Sequence, residues 1–422
     1  MTDVPGLVDH LFRHSAGQLV AALTRRLGAE NLQLAEDVVQ EALVKALRTW
    51  PFHGVPANPE AWLAQVARNA ALDALRRDSS LARKREAIES WLEVRRPQLS
   101  EPASECDAIE DDELRLLFLC CSAGVPPDAR VPLALKTAGG FSAAEIARAF
   151  LAREAAIAQR LVRAKQRLRA AGPDLALPAT PDLPAALDAV LQTIYLTFNA
   201  GYAAAEGEDL VRRDIALEAV RLARLVAGHP RTGTPKAHAL AALLLLQAAR
   251  FPTRLDAQGE ILLLEDQDRS RWDRGLLAAG LRHLESAGRG ADITPYHLEA
   301  GIAAAHAVAP SAAATDWRRI LHLYDALLAE NPSPVVALNR AVAVAQADGP
   351  GAGLDALEAV RHHPALQSYP LLHGTRGELL LRLGATLEAA ASFRAALALA
   401  TPEPLRRRLA ARLAACAGPD EN

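Results

Sequence analysis

The sequence predicts an all-α protein, on three observations. Ala and Leu dominate the 422 residues, while aromatic residues make up 4%. Ala and Leu lose least on entering a helix. No stretch sustains the apolar–polar alternation of a half-buried strand. Segment after segment instead repeats apolar residues at three- and four-residue spacing, bounded by Pro, Gly or a capping side chain. Half of the chain is hydrophobic, enough for two or three buried cores.

Residues 5–80 read as the first helical unit. Within it, "LAEDVVQEALVKALRTW" places Ala35, Val38, Val39, Ala42, Leu43 and Ala46 on one face. Glu36, Asp37, Gln40, Glu41, Lys45 and Arg48 fall elsewhere, giving an amphipathic helix. "PFHGVPANP", with three prolines and a glycine, is expected to break it. "PEAWLAQVARNAALDALRRDSS" begins a second helix. Pro59 suits its first turn, and the Arg76–Arg77 pair suits its end, where cations meet the helix dipole. Trp62 shares its neighbourhood with Leu63 and Val66 and reads as core rather than as a stacking wedge.

Residues 81–110 are charged and only loosely periodic, a linker with some helix. A second unit spans 111–171. Residues 172–184 carry four prolines and read as another linker. The remainder, 185–420, is a helical extension with Pro- or Gly-bearing turns. In "LLHGTRGELLLRLGATLEAAASFRAALALATP", Gly377, Ala389, Phe393 and Ala396 match the small–small–aromatic–small spacing of a tetratricopeptide repeat. Small residues let two helices approach and the aromatic fills the gap. "SPVVALNRAVAVAQADGPGAGLDALEAVRHHP", at 333–364, is a weaker neighbour of similar length. Together they predict a solenoid-like array.

The second unit ends in "GGFSAAEIARAFLAREAAIAQRLVRAKQRLR". Ser142 and Glu145 have capping-box spacing. Ala144, Ile146, Ala147 and Phe150 can face inward, "LARE" turns the chain, and Ile157, Leu161, Ala164 and Leu168 recur at helix spacing. This is a helix-turn-helix pattern. Residues 141–169 hold seven basic and two acidic side chains in a chain of net charge −3. Such a local basic footprint fits DNA; an Arg-studded surface helix is the plainer reading of the same residues. Arg153, Gln159, Arg160, Arg163 and Lys165 are the candidate DNA contacts, Gln159 and Arg160 at base edges and the others at phosphates. Ala156 and Ala158 make direct readout sparse and leave more to DNA shape.

Other chemistry is poorly supported. The four cysteines form no C-x-x-C pair and no histidine stands at zinc-finger spacing, so no metal is expected. Cys120 and Cys121 lie in an apolar run and read as buried thiols. No phosphate-loop, H-E-x-x-H or G-x-S-x-G motif occurs, so neither an enzyme nor a cofactor is expected. The N-terminus lacks a signal-peptide pattern, and the longest apolar run is too short to span a bilayer. A cytoplasmic location without membrane contact is expected.

Together, the segments "AEDVVQEALVKALRTW", "PEAWLAQVARNAALDALRR" and "GGFSAAEIARAFLAREAAIAQRLVRAKQRLR" resemble, in order and spacing, region 2 and region 4 of extracytoplasmic-function sigma factors. "LTFNAGYAAAEGEDLVRRDIALEAVRLARLV", "LLLEDQDRSRWDRGLL" and "LYDALLAENPSPVVALNRAVAVAQADGP" resemble the C-terminal extension of one subgroup, often called ECF42, whose extension is tetratricopeptide-like. One departure is "CCSAGVPPDAR", which lacks a histidine expected after the cysteine pair. The resemblance implies binding to the clamp and flap regions of core RNA polymerase and to promoter DNA. Asp37, Gln40 and Glu41 would contact the clamp. Arg68, Asn69, Asp73, Arg76 and Arg77 would meet the −10 element, beside a base-capturing loop "FHGVPANP"; region 4 would read the −35 element. Asp266, Asp268, Arg269, Arg271 and Trp272 are candidates for a regulatory surface through which the extension touches the sigma domains or polymerase. Without the resemblance, the same stretch is a loop entering a helix, with Asp268 or Ser270 as cap. A non-sigma helix-turn-helix regulator with a helical sensor or scaffold domain is the alternative.

Overall fold

A computed structural model describes residues 4–77, 111–150, 152–172, 177–202, 212–256, 262–400 and 403–416. All regular elements among them are helices, without a strand. Expectations for the 81–110 linker and Cys106 lie outside the described residues. The contacts divide the chain into two compact units, Met1–Thr197 with Gly228–Thr232, and Phe198–Ala227 with Gly233–Asn422.

The first unit opens with α1 (Val4–Leu27), α2 (Leu32–His53) and α3 (Pro59–Arg77). The six residues assigned to the inner face of α2 are all buried. α2 does not stop at the first proline: it runs past Pro51 to His53. Pro51 falls in the last turn, where the helix forgoes only the bond that an N–H there would make to the Leu47 carbonyl. The stop is Gly54, whose φ of +82° takes the chain out of the helix. Trp62 is half-buried and meets the fully buried Trp50 edge to face, with ring centroids 5.4 Å apart. The Asn58 side chain caps α3 by accepting from the Ala61 N–H at 2.9 Å.

There follow α4 (Asp112–Cys120), α5 (Pro127–Thr137), α6 (Ala143–Ala149) and α7 (Glu154–Ala171). Cys120 and Cys121 are buried free thiols. Burial pushes the Cys120 thiol well up and the Cys121 thiol up to about 12, so neither supplies a thiolate at neutral pH.

α8 (Leu183–Tyr202) crosses the division between the units at Thr197. Its first half therefore belongs with the first unit, where the Thr193 hydroxyl faces the Cys121 sulfur. The sequence boundary at 185 places this half-helix with the extension, whereas the contacts divide at Thr197.

The second unit continues through α9 (Arg213–Gly228), α10 (Pro235–Ala248), α11 (Arg274–Ala287), α12 (Pro295–Val308), α13 (Trp317–Glu330), α14 (Pro334–Asp348), α15 (Pro350–Glu358), α16 (Pro370–Arg382), α17 (Thr386–Leu399) and α18 (Glu403–Ala415). Its apolar clusters pass from one helix pair to the next. Ile302, Ile320, Leu327 and Ala343 join α12 to α14. Leu338, Leu357 and Leu379 join α14 to α16. Leu380, Phe393 and Leu409 join α16 to α18. This nearest-neighbour pattern is that of a helical array. Gly377 does what its spacing predicts: a Cβ there would come within 2.7 Å of the Phe393 ring. The weaker 333–364 match also forms a tight hairpin, α14–α15, in which a Cβ on Gly353 would stand 2.3 Å from Ala345 Cβ.

Candidate nucleic-acid interface

α6 and α7 form the expected helix-turn-helix. Ser142 Oγ accepts from the Glu145 N–H at 3.1 Å, and Glu145 Oε2 accepts from the Ser142 N–H at 2.8 Å, completing the capping box. Ile146 and Ala147 are buried, as are Ile157, Leu161, Ala164 and Leu168 of α7. That stripe fixes which side of α7 faces outward.

The outward side carries Arg153, Gln159, Arg163, Arg167 and Arg169, all exposed. Arg153 stands at the start of α7 without capping it. Arg163 Nε donates to the Gln159 carbonyl at 3.4 Å, a loose tether. Arg160 is held more firmly: its Nε pairs with Asp128 Oδ2 at 3.3 Å and its Nη1 donates to the Asp128 carbonyl. Lys165 departs from its expected position. Its ammonium is half-buried, donating to Gln33 Oε1 at 3.0 Å and to Glu36 Oε2, both on α2.

On α3, Asn69 and Asp73 are exposed one turn apart, and Asn69 Oδ1 accepts from Gln65 Nε2 at 3.2 Å. Arg68 is half-buried, and burial pulls its pKa down. Arg76 and Arg77 end the helix, as expected; their side chains lie outside the description. Just before the α2–α3 loop, Phe52 is 82% exposed.

Asp37, Gln40 and Glu41 share the exposed side of α2. Asp37 accepts from Gln33 Nε2 at 2.7 Å; among the described residues neither Asp37 nor Glu41 has an ion-pair partner. Such an unneutralised acidic face suits a basic partner. Glu36, expected on the same solvated side, is 8% exposed. Thr137 Oγ1 donates to its Oε1 at 2.9 Å. Sequence periodicity missed this residue because the element that covers it, over a hundred positions away in the chain, is invisible to a helical wheel.

The regulatory-surface candidates do not form one surface. Trp272 is buried, 3% exposed, and its indole N–H donates to Thr253 Oγ1 at 2.9 Å. Arg269 donates to the carbonyls of His306 at 2.7 Å and Ala309 at 2.8 Å, closing the end of α12. Asp266, Asp268 and Arg271 remain exposed. Asp268 caps only a short 3-10 turn; Asp273 caps α11, accepting from the Leu276 N–H at 2.9 Å. The charged run is largely the means of bringing Trp272 and Arg269 inside. Among the described residues no helix is long and apolar enough to cross a membrane.

Comparison with known proteins agrees with this layout. Residues 11–80 match the sigma-70 region 2 family and 115–168 the sigma-70 region 4 family. Residues 186–288 match a family of unknown function, DUF6596. An uncharacterized protein of Rhizobium meliloti (strain 1021) is 42% identical over 402 residues, covering 95% of this chain and 93% of its own. The ECF RNA polymerase sigma factor SigG of Mycobacterium tuberculosis is 29% identical over 196 residues, covering 42% of this chain and 52% of its own. The chain thus belongs to the family of the Rhizobium protein, and in this chain sigma-70 region 2 and region 4 domains precede a helical C-terminal part.

Proposed function

We propose that the protein is a sigma factor of the extracytoplasmic-function class. It binds core RNA polymerase through the Asp37–Gln40–Glu41 side of α2 and directs initiation at promoters with matching −10 and −35 elements. The reading rests on one observation: a region 2 match and a region 4 match in order on one chain, the second presenting an exposed Arg–Gln face on its outer helix. In region 4, Arg153 and Arg163 would hold phosphates and Gln159 would read a base edge. In region 2, Asn69 offers an amide to bases, and the exposed Phe52 ring offers a face on which an unpaired base can stack, offsetting the cost of strand opening. The factor itself breaks no covalent bond; the polymerase does the chemistry, in the cytoplasm.

The C-terminal array, tetratricopeptide-like and of the ECF42 kind in this reading, regulates the sigma domains in cis. A truncation that tests it should end after residue 202, because cutting at 185 would strip the Thr193 helix from Cys121. Unchanged promoter-specific activity and regulation on removing 203–422 would defeat the regulatory role. The sigma role itself is tested by run-off transcription with purified core polymerase and candidate promoters. Promoter-specific transcripts that core alone does not make are expected; DNA binding without such transcripts would favour a simple helix-turn-helix regulator.

A further inference from the structure

Past the end of α10, guanidinium groups gather where no carboxylate answers them. Arg250 is half-buried. Its Nη1 donates to Gln247 Oε1 at 3.0 Å and its Nε to Gln267 Oε1 at 3.3 Å. The same Gln247 oxygen accepts from the Tyr202 hydroxyl at 2.8 Å. Over the Tyr202 ring, 3.7 Å from its centroid, stands the Arg254 guanidinium. Arg269 shares the Trp272 ring with Arg250. Among the described residues none of these three arginines pairs with a carboxylate, and Arg250 Nη2 and the Arg254 guanidinium have no acceptor. Arg269 Nε is buried and likewise lacks one. All of these residues lie within 186–288, the stretch that matches the family of unknown function.

Arginine cannot shed its proton to escape such a setting. Glutamine and carbonyl oxygens solvate a guanidinium but do not neutralise it, and a charge kept from water without a counter-ion is costly. Burial first, and then the charges of Arg254 and Arg269, pulls the Arg250 pKa down. Packing explains Arg269, whose Nη1 closes the end of α12. It does not explain Arg254, which rests on an aromatic face with its N–H edge left for an acceptor. That edge matches an oxyanion, which takes two parallel hydrogen bonds from a guanidinium. The setting differs from the outer side of α7, where exposed arginines line one helix as a duplex requires. Arg250 and Arg254 are half-buried among Tyr202, Phe251 and Trp272, which suits a small group rather than a duplex.

We propose that Arg250 and Arg254, with the charge of Arg269 behind them, form a binding site for the phosphate group of a small ligand. Tyr202 and Gln247 position the two guanidiniums, one through its ring and the other through its amide oxygen. Several fixed positive charges with no negative one among them favour a phosphate, which carries close to two charges and three acceptor oxygens, over a single carboxylate. The site goes beyond the sigma reading and does not rest on it.

The test is titration of the full-length protein with inorganic phosphate and with pyrophosphate, followed by calorimetry and thermal denaturation. Ionic strength is held constant with potassium chloride, so that screening does not change. Saturable binding is expected, with a rise in Tm that tracks occupancy. Arg254→Gln should weaken it about tenfold or more, as loss of one charge-assisted contact does. Arg254→Lys keeps the charge but not the fork; it should fall between the two and serves if Arg254→Gln folds poorly. Arg394→Gln, at an exposed position of α17, should leave binding unchanged. Tighter binding of pyrophosphate would assign the site to linked phosphates, and tighter binding of inorganic phosphate to a lone phosphate group; either upholds it. Absence of saturable binding of both anions to the wild type would overturn the site. So would binding that Arg254→Gln and Arg254→Lys leave intact, or that Arg394→Gln weakens equally. Loss of affinity for duplex DNA in Arg254→Gln, with phosphate binding retained, would overturn it in favour of a nucleic-acid contact. Phosphate binding that depends on Arg254, in a protein that makes no promoter-specific transcripts, would uphold the site and defeat the sigma reading alone.

Discussion

Trp272 shows how a single side chain can reverse the reading of a stretch. In the sequence it stands among six charges within nine residues and suggests a contact surface. In the fold it is interior, with the Arg269 and Arg250 guanidinium groups 5.2 and 5.8 Å from its ring centroid. Trp272→Ala is expected to destabilise the protein by roughly 3–5 kcal/mol, measured by chemical denaturation; a surface residue would cost far less. Phe52 is the opposite case, an apolar ring left in water. Phe52→Ala should leave thermal stability nearly unchanged and lower strand opening at the promoter, read by permanganate reactivity, with a loss of roughly 1–3 kcal/mol per stacked base. His306 supplies a pH dependence. Burial first, and then the charges of Arg250 and Arg269, hold its pKa down to about 4, against 6.5 in an open chain. The unfolded chain therefore binds a proton that the native imidazole refuses. Its contribution is full above pH 6.5 and lost as pH falls toward 4, by at most about 3 kcal/mol. His306→Gln should flatten that part of the stability profile, as followed by denaturation at a series of pH values.

At the level of elements, local signals and tertiary packing agree on the face a helix turns to its neighbours in sequence. The inner stripes of α2 and α7 were legible as periodicity because a core-facing stripe leaves a 3.6-residue pattern whatever covers it. The Ser142–Glu145 box and the Pro59 start were legible because caps are local. The extent of α2 past Pro51 was not: a proline costs the bond to the preceding turn, and whether packing of that turn outweighs the loss is decided outside the local sequence. The α16–α17 hairpin was legible from Gly377 and Phe393, whose sizes must be complementary. Gly377→Val should destabilise this hairpin by roughly 1–3 kcal/mol, because the Phe393 ring is fully buried and has no room to yield. Phe393→Leu in the same chain should recover part of that loss, as a double-mutant cycle would record.

For the whole molecule, a net charge of −3 hides a division of labour, with acidic groups on the outer side of α2 and basic groups on the outer side of α7. Arg163→Ala should weaken binding to DNA of every sequence and lower the slope of log affinity against log salt by about 1, since it removes one phosphate contact. Gln159→Ala should instead alter sequence preference at one position with little change in that slope. Both are read by fluorescence anisotropy at several salt concentrations, and equal slopes for wild type and Arg163→Ala would count against a phosphate role. The sequence by itself determined the all-α class, the helix-turn-helix, the inner faces of its helices and the candidates on its outer faces. Those features depend on residues within a few turns of one another. Only the tertiary structure decided that Glu36 is buried, that Lys165 is engaged, that Trp272 is core and that the first half of α8 covers Cys121. Each of these depends on a partner tens to more than a hundred residues away, and burial by a distant partner leaves no periodic trace in the chain that is buried.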